Sequence, residues 1–439
     1  MGGDCLNIGC VPSKALLAAA KKIYEIRSAH KFGITVSDVK VDFGAIMERM
    51  RQLRAKISPN DSVKRFSETL NVQVYLGRGR FTGKNKISVS GKTLKFSKAI
   101  IATGGTAAVP PIPGIESVTY LTNATIFNLT ELPQRLGVIG AGAIGCELAQ
   151  AFCRFGSQTT IFSRSRIMSR EDPDAVQILE EALLEDGVKI EQNVHFVSLS
   201  QDKEGIHLVY QIEGKVFKSC FDQLLIATGR MPNVKDIGLE VAGVKYNEKG
   251  IIVSETLQTS NPHIYAVGDC CNTQLKFTHV ADAMARMAIR NTLFFGNDKW
   301  TNLTIPWCTF TQPELAHVGP FETDLKKKGI AYDLYKVDFE DNDRSICEGT
   351  TRGFVKIFTL ANTDKVIAGT IIGEGAGNMI SEITLLITQN IGLSLLAGTI
   401  HPYPTAADAV RRCGDLYNRT RLTTFVKVIF RNLLLARRK

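Results

Sequence analysis

At 439 residues with 44% hydrophobic side chains, the chain is long enough for two to four domains and several packed cores. The 53 lysines and arginines against 43 aspartates and glutamates leave a net charge of +10, but the excess is dispersed, with only short clusters such as Lys326-Lys327-Lys328, which suits anionic ligands such as dinucleotide phosphates and argues against a nucleic-acid-binding protein. Ten cysteines are too sparse for a secreted disulfide framework, so an intracellular, cytoplasmic setting is expected, and no apolar run reaches the roughly 18 to 20 residues of an integral membrane segment.

The first element of interest is Gly3-Asp4-Cys5-Leu6-Asn7-Ile8-Gly9-Cys10-Val11-Pro12-Ser13-Lys14. Ala15 to Lys22 reads as a helix, with Pro12 and Ser13 as start signals that place Cys10 where the helix dipole and free N–H groups stabilise a thiolate. Lys14 adds a cation one turn away. The spacing of the two thiols by itself also fits an incidental pair. Met1-Gly2 fails the acylation pattern, because Leu6 stands where Ser or Thr is needed. Short strands ending in small residues follow, Ala99 to Ile101 before Ala102-Thr103-Gly104 among them.

Leu136 to Ile139 reads as an apolar strand running into Gly140, Gly142 and Gly145, with Glu147 to Phe152 continuing as a helix. This is the strand–turn–helix context that a dinucleotide fingerprint requires: Gly140 for the tight turn, Gly142 for approach of the pyrophosphate, Gly145 for helix-on-strand packing. The next strand, Gln158 to Phe162, ends without the acid that usually accepts the ribose hydroxyls of NAD and gives instead Ser163-Arg164-Ser165-Arg166 and then Arg170. Two arginines suit a 2′-phosphate, so NADPH is the expected donor, with NADH possible; a plain solvent-facing role for them is the alternative, and Glu171-Asp172 would oppose phosphate binding. Asp174 to Leu183 reads as a helix. The vicinal Cys270-Cys271 pair is read as buried rather than metal-binding, and no metal site is assigned. Phe425 to Lys439 is apolar with basic interruptions; a helix packed on its own protein or a partner subunit is preferred over one lying on a membrane surface.

Over nearly its whole length the chain resembles the class I pyridine nucleotide–disulfide oxidoreductases, the flavoprotein group of lipoamide dehydrogenase, glutathione reductase and mercuric reductase, with mercuric-reductase-like members nearest. The resemblance implies an α/β fold of two Rossmann-like dinucleotide-binding domains, for FAD and NAD(P)H, plus a C-terminal α+β dimerisation domain. The expected divisions are residues 1–123 and 247–303 for the FAD domain, 124–246 for the NAD(P)H domain and 304–439 for the homodimer interface. It also implies a redox-active Cys5–Cys10 disulfide, Cys5 exchanging with substrate and Cys10 lying against the flavin, with Lys14 near flavin N5 and paired with Glu147. FAD contacts are implied at Gly79, Ala102, Thr103 and Gly104, at Gly268 and Asp269, and at Phe277, Thr278 and His279; Gly229 and Arg230 close the nucleotide domain. Only four residues precede Cys5, where the family carries roughly 30 to 45 with its first βαβ unit, so an N-terminally incomplete member is expected.

The last motif is His401-Pro402-Tyr403-Pro404-Thr405-Ala406-Ala407-Asp408. Lipoamide and glutathione enzymes carry His-Pro-Thr-x-x-Glu, in which the carboxylate orients a histidine serving the partner subunit. Aligned on Pro404-Thr405, Tyr403 takes the histidine's place, as in mercuric reductases, and Asp408 the carboxylate's; His401 lies two residues early. The cysteine pair that ends mercuric reductases has no counterpart after Cys413. The expected function is therefore electron transfer from NADPH through flavin to Cys5–Cys10 and on to a disulfide, a thiol-bound metal or a related small acceptor. A dihydrolipoamide- or glutathione-type reductase, or a flavin-free form acting as a binding partner, is the alternative.

Overall fold

The computed structural model describes residues 1–273 and 276–438, and they form two compact units. One comprises residues 1–167 and 186–303, the other residues 168–185 and 304–439.

The first unit is α/β. Its four-stranded parallel sheet has the order Gln223–Ile226, Arg135–Ile139, Gln158–Phe162, Lys189–Glu191. Leu136 to Ile139 are buried without alternation, as a strand covered on both faces must be. On one side lies the helix Ala143–Phe155, whose Phe152 and Phe155 meet Phe43 of the helix Phe43–Ile57 at ring-centroid distances of 5.7 and 5.9 Å. Each such ring removed from water contributes about 2 kcal/mol. Ile139 and Phe162 also join Leu208, Tyr210 and Phe221 of an antiparallel three-stranded sheet spanning residues 195–221 in one core. Two of its smaller strand pairs matter for the site: Ala99–Ile101 lies parallel to Ile264–Ala266, and Gly105–Ala107 antiparallel to Arg230–Pro232. These four strand ends carry the segments on which the redox site is built.

The second unit is an antiparallel five-stranded sheet in the order Pro306–Thr309, Glu314–Val318, Val366–Gly373, Phe354–Leu360, Tyr332–Asp338, with the helices Ala376–Thr388 and Asp408–Thr420 packed on one face. The helix Pro173–Glu185 runs within two residues of its sequence-based limits, but it belongs to this unit rather than to the strands that flank it in sequence. Lys356, 4% exposed, holds it there with 3.0 Å contacts to both carboxylate oxygens of Asp172 and a 2.6 Å contact to Asp174. A buried ammonium needs such a set of partners to offset its lost hydration.

Beside that pair, Glu171 accepts a 2.9 Å hydrogen bond from Trp307 Nε1, and burial pushes its carboxyl up to about 7. The Trp307 ring lies 4.9 Å from His317, whose imidazole burial holds down to about 4. Folded Glu171 binds its proton more tightly than the unfolded chain does, so its contribution to stability is present at low pH and is lost as pH rises through about 7. His317 works in the opposite sense and only below about 6.5. The stability advantage of the wild type over Glu171→Gln should therefore shrink by about 3 kcal/mol at most between pH 4.5 and 8 in denaturant titrations. A difference that does not vary with pH would show that Glu171 is ionised in the fold.

Candidate active site

Cys5 and Cys10 are joined as a disulfide with Cα atoms 4.6 Å apart, both half-buried. A short helix, Gly3–Asn7, carries Cys5, and Gly9 precedes the helix Cys10–Arg27. That helix begins earlier than its start signals suggested: Cys10 is its first residue, and Pro12 falls in the first turn, where a missing N–H costs nothing. Ser13 does not cap it but donates its hydroxyl to the carbonyl of Cys10 at 3.2 Å. Leu16 and Ala20 anchor its buried face, and Asn123 Nδ2 donates to the Ile8 carbonyl at 3.1 Å, tying down the loop between the thiols.

Three other segments converge on the disulfide. Thr278, the first residue of the helix Thr278–Leu293, places its hydroxyl 3.3 Å from Cys10 Sγ and 3.6 Å from Cys5 Sγ. The rings of Phe277 and His279 stack on each other beside it at 5.4 Å. Lys14, one turn along from Cys10, binds Glu147 Oε2 at 2.8 Å, and Glu147 is 4% exposed on the helix Ala143–Phe155. Arg230 reaches from its strand to Asp269 at 3.0 Å and to the Gly105 carbonyl at 2.6 Å, and its Nη2 also binds Asp4, the residue before Cys5. Asp4 is a site residue that the sequence reading misses; only its place beside Cys5 points to it.

The other positions expected to face FAD are mostly turns and strand ends. Thr103 exchanges hydrogen bonds with Asn233, its hydroxyl donating to the Asn233 carbonyl at 2.7 Å and its own carbonyl accepting from Asn233 Nδ2 at 2.9 Å. Gly104 has φ of 68°, and a Cβ there would meet nothing within 4 Å, so the space beside it is open; Ala102 and Thr103 before it are exposed. Gly79 is exposed just before the strand Arg80–Gly83, and the carbonyl of Gly229 accepts from Ala108 at 2.9 Å. Cys270 and Cys271 are fully buried, the hydrogen bond with Cys270 and then burial raising the Cys271 thiol, while Cys270 Sγ donates to the Val267 carbonyl at 3.2 Å.

The nucleotide fingerprint takes the form its glycines dictate. Gly140 turns with φ of 112°, a Cβ at Gly145 would stand 1.9 Å from the Gly140 carbonyl, and the space beyond Gly142 is open. The helix that starts at Ala143 has no side-chain cap, leaving its first N–H groups for an anion. Arg164 and Arg170 are exposed and make no ion pair among the described residues. The neighbouring acids expected to oppose a phosphate are spent elsewhere, Glu171 on Trp307 and Asp172 on Lys356.

In the second unit, His401, Tyr403 and Asp408 line one cavity of about 590 Å³ together with Asp343, Arg411 and Arg412. Asp408 does not orient its expected partner: it accepts from Arg411 Nε at 2.7 Å, and the Tyr403 hydroxyl donates to Asp343 at 2.7 Å. That bond raises the phenol above its usual pKa. His401 is engaged at both ring nitrogens, with the Thr399 carbonyl at 3.0 Å and Glu382 Oε1 at 2.9 Å, and its side chain is 9% exposed against 77% for Tyr403. Glu382 and Asp343 lie far from the motif in sequence and were not anticipated.

A disulfide at the start of the helix that carries Lys14, with Lys14 paired to Glu147 on the helix that follows the nucleotide fingerprint, is the arrangement of a dinucleotide-dependent thiol–disulfide oxidoreductase. The comparisons place it further. The model for pyridine nucleotide-disulphide oxidoreductases matches residues 1–285, and the model for the dimerisation domain of the same proteins matches residues 305–413, so the chain belongs to this family. It is 34% identical to a mercuric reductase of Streptomyces lividans over 95% of this chain and 89% of that one. It is 31% identical to a dihydrolipoyl dehydrogenase of Chlamydia muridarum, covering 93% and 87% respectively. Among solved structures it matches the HOCl-induced flavoprotein disulfide reductase RclA of Escherichia coli with a TM-score of 0.84 and 26% identity, covering 94% of this chain and 91% of that one. The protein is an oxidoreductase of the class I disulfide reductase family, whose members use FAD and NAD(P)H, and it carries that family's dimerisation domain.

The Arg230 knot gives a prediction for this site. Arg230→Ala leaves Asp4 and Asp269 without their shared cation in a partly buried position, which should cost about 2 kcal/mol or more. In the oxidised protein the melting temperature should fall, and dithiothreitol should reduce Cys5–Cys10 faster as Asp4 comes loose. Unchanged reduction kinetics would mean that Arg230 does not hold the redox segment.

Proposed function

We propose that the protein is an NADPH-dependent reductase of mercuric-reductase type, passing an electron pair to Cys5–Cys10 and from there to a disulfide or a thiol-bound metal ion. The observation that carries this reading is the disulfide itself, set between the Thr278 hydroxyl and the Lys14–Glu147 pair. The residues fit FAD: the disulfide, Lys14, Thr278 and Asp269 would take its ring side, and the open backbone at Gly104 would accept a group lying close against it. Bound there, FAD would relay the electron pair from nicotinamide to disulfide.

The chain's own groups then account for the thiol chemistry. The disulfide takes up two electrons and one proton, leaving a thiol and a thiolate, and Lys14 and the N-terminal turn of the helix stabilise the thiolate at Cys10. Cys5, the outer thiol, attacks a substrate disulfide; the first substrate thiol leaves with a proton, and Cys10 then displaces the second to restore Cys5–Cys10. For a thiol-bound metal ion, Cys5 and Cys10 exchange onto the metal as its original thiols leave, and transfer of the thiolates' electron pair to the metal re-forms the Cys5–Cys10 disulfide. We assign the proton donor at this step to Tyr403 in preference to His401, because Tyr403 is an exposed side chain held by the single Asp343 bond at its hydroxyl, while both nitrogens of the nearly buried His401 are engaged. As the protein carries a dimerisation domain, we assign Tyr403 to the Cys5 of a second copy.

Two experiments test the reading. Mixing Cys5→Ser subunits with Tyr403→Phe subunits, each inactive alone, should restore about a quarter to a half of NADPH-dependent turnover in exchanged dimers, since one composite site is intact. Verified heterodimers without activity would contradict a shared site. Replacing Arg164 and Arg170 together with Ala should raise KM for NADPH at least about tenfold and leave NADH nearly unaffected, each charge-assisted phosphate contact being worth about 1.5 to 3 kcal/mol. Equal loss with both cofactors would remove the 2′-phosphate assignment.

A further inference from the structure

The helix Thr424–Ala436 has no buried residue: Val426 is half-buried, and every other position from Arg421 to Arg438 is exposed. It is nevertheless a properly started helix, the Thr423 hydroxyl accepting from Val426 N at 3.4 Å. At 100° per residue, Phe425, Val426, Ile429, Phe430 and Leu433 fall on one side, and Lys427 and Arg431 on the other, with Arg437 and Arg438 following the helix end. Val428, Leu434 and Leu435 flank the basic stripe, so the apolar surface wraps well beyond half the circumference. Phe425 is 73% exposed and Leu434 58%. Soluble surfaces rarely leave so continuous an apolar face without a partner.

The charge pattern narrows the partner. From Leu416 to Lys439 the chain carries Arg419, Arg421, Lys427, Arg431, Arg437, Arg438 and Lys439 and not one acidic residue. A second copy of this helix would bring only like charges to the flanks of the seam and would cover only a narrow stripe of so wide an apolar face. An anionic bilayer matches both properties, taking the apolar face into the acyl boundary while the long basic side chains reach the headgroups. Thirteen residues make about 20 Å of helix, too short to cross the roughly 30 Å hydrocarbon core, so the helix would lie in the interface plane.

We propose that Thr424–Ala436 is a docking helix for an anionic lipid surface. The full-length protein should co-sediment with vesicles of phosphatidylcholine containing about 30 mol% phosphatidylserine and not with phosphatidylcholine alone, the binding weakening as salt is raised. Lys427→Gln with Arg431→Gln should weaken partitioning about thirtyfold, and Ile429→Ser with Leu433→Ser should abolish it, both with NADPH oxidation unchanged. Tryptophan emission from Phe430→Trp should shift to the blue on the anionic vesicles only. Failure to sediment, or equal binding to neutral and anionic vesicles, would overturn the proposal. So would dissociation of the oligomer by Ile429→Ser with Leu433→Ser, measured by light scattering without lipid, since a second copy would then be what covers the face.

Discussion

The contact between Lys14 and Glu147 is the constraint on which the redox site depends. Glu147 lies almost wholly inside the unit, on the helix that also opens the nucleotide fingerprint, and a carboxylate there persists only if a cation comes to it. Lys14 supplies that cation from the helix that begins at Cys10. The pair therefore fixes the thiol helix against the nucleotide-binding layer and brings a positive charge within a turn of the disulfide. Structural demand and chemical demand are met by the same two side chains, so substitution of either should disturb folding and electron transfer together.

Around this pair the site is assembled by contacts between segments that are distant in sequence. Arg230 gathers Asp4, Asp269 and the Gly105 carbonyl, and Thr278 sets its hydroxyl on the disulfide. None of these groups is positioned by its own local structure. Each is carried on a strand end or a helix start whose place is fixed by the small parallel and antiparallel pairs of the first unit. In the second unit the same logic places Tyr403 against Asp343 and His401 against Glu382, within a cavity lined by charged side chains.

What was legible in the sequence is what local chemistry encodes. Gly140 and Gly145 announce their turn because only a residue without Cβ fits a backbone carbonyl at such distances, and the two cysteines announce redox chemistry once they stand at a helix start. Lys14 and Glu147 were paired through family resemblance, and the 2.8 Å contact gives that pairing its physical form. Asp4, Asp343 and Glu382 were not legible, since an aspartate or glutamate on a half-exposed turn or helix has no pattern that names a partner far along the chain. Asp408 lines the same cavity as Tyr403, but its hydrogen bond goes to Arg411, three residues on along the helix, a choice the motif does not encode. The sequence reads Pro173–Glu185 correctly as a helix, yet its allegiance rests on Lys356, buried in a strand of the second unit, to which the helix belongs.

The central claim is that Cys5–Cys10 is the acceptor of electrons from NADPH. Its most direct test is mass-resolved alkylation of the FAD-loaded protein before and after anaerobic addition of one equivalent of NADPH. Two new iodoacetamide adducts should appear, both in the peptides carrying Cys5 and Cys10. Oxidation of NADPH without new adducts at these two positions would contradict it.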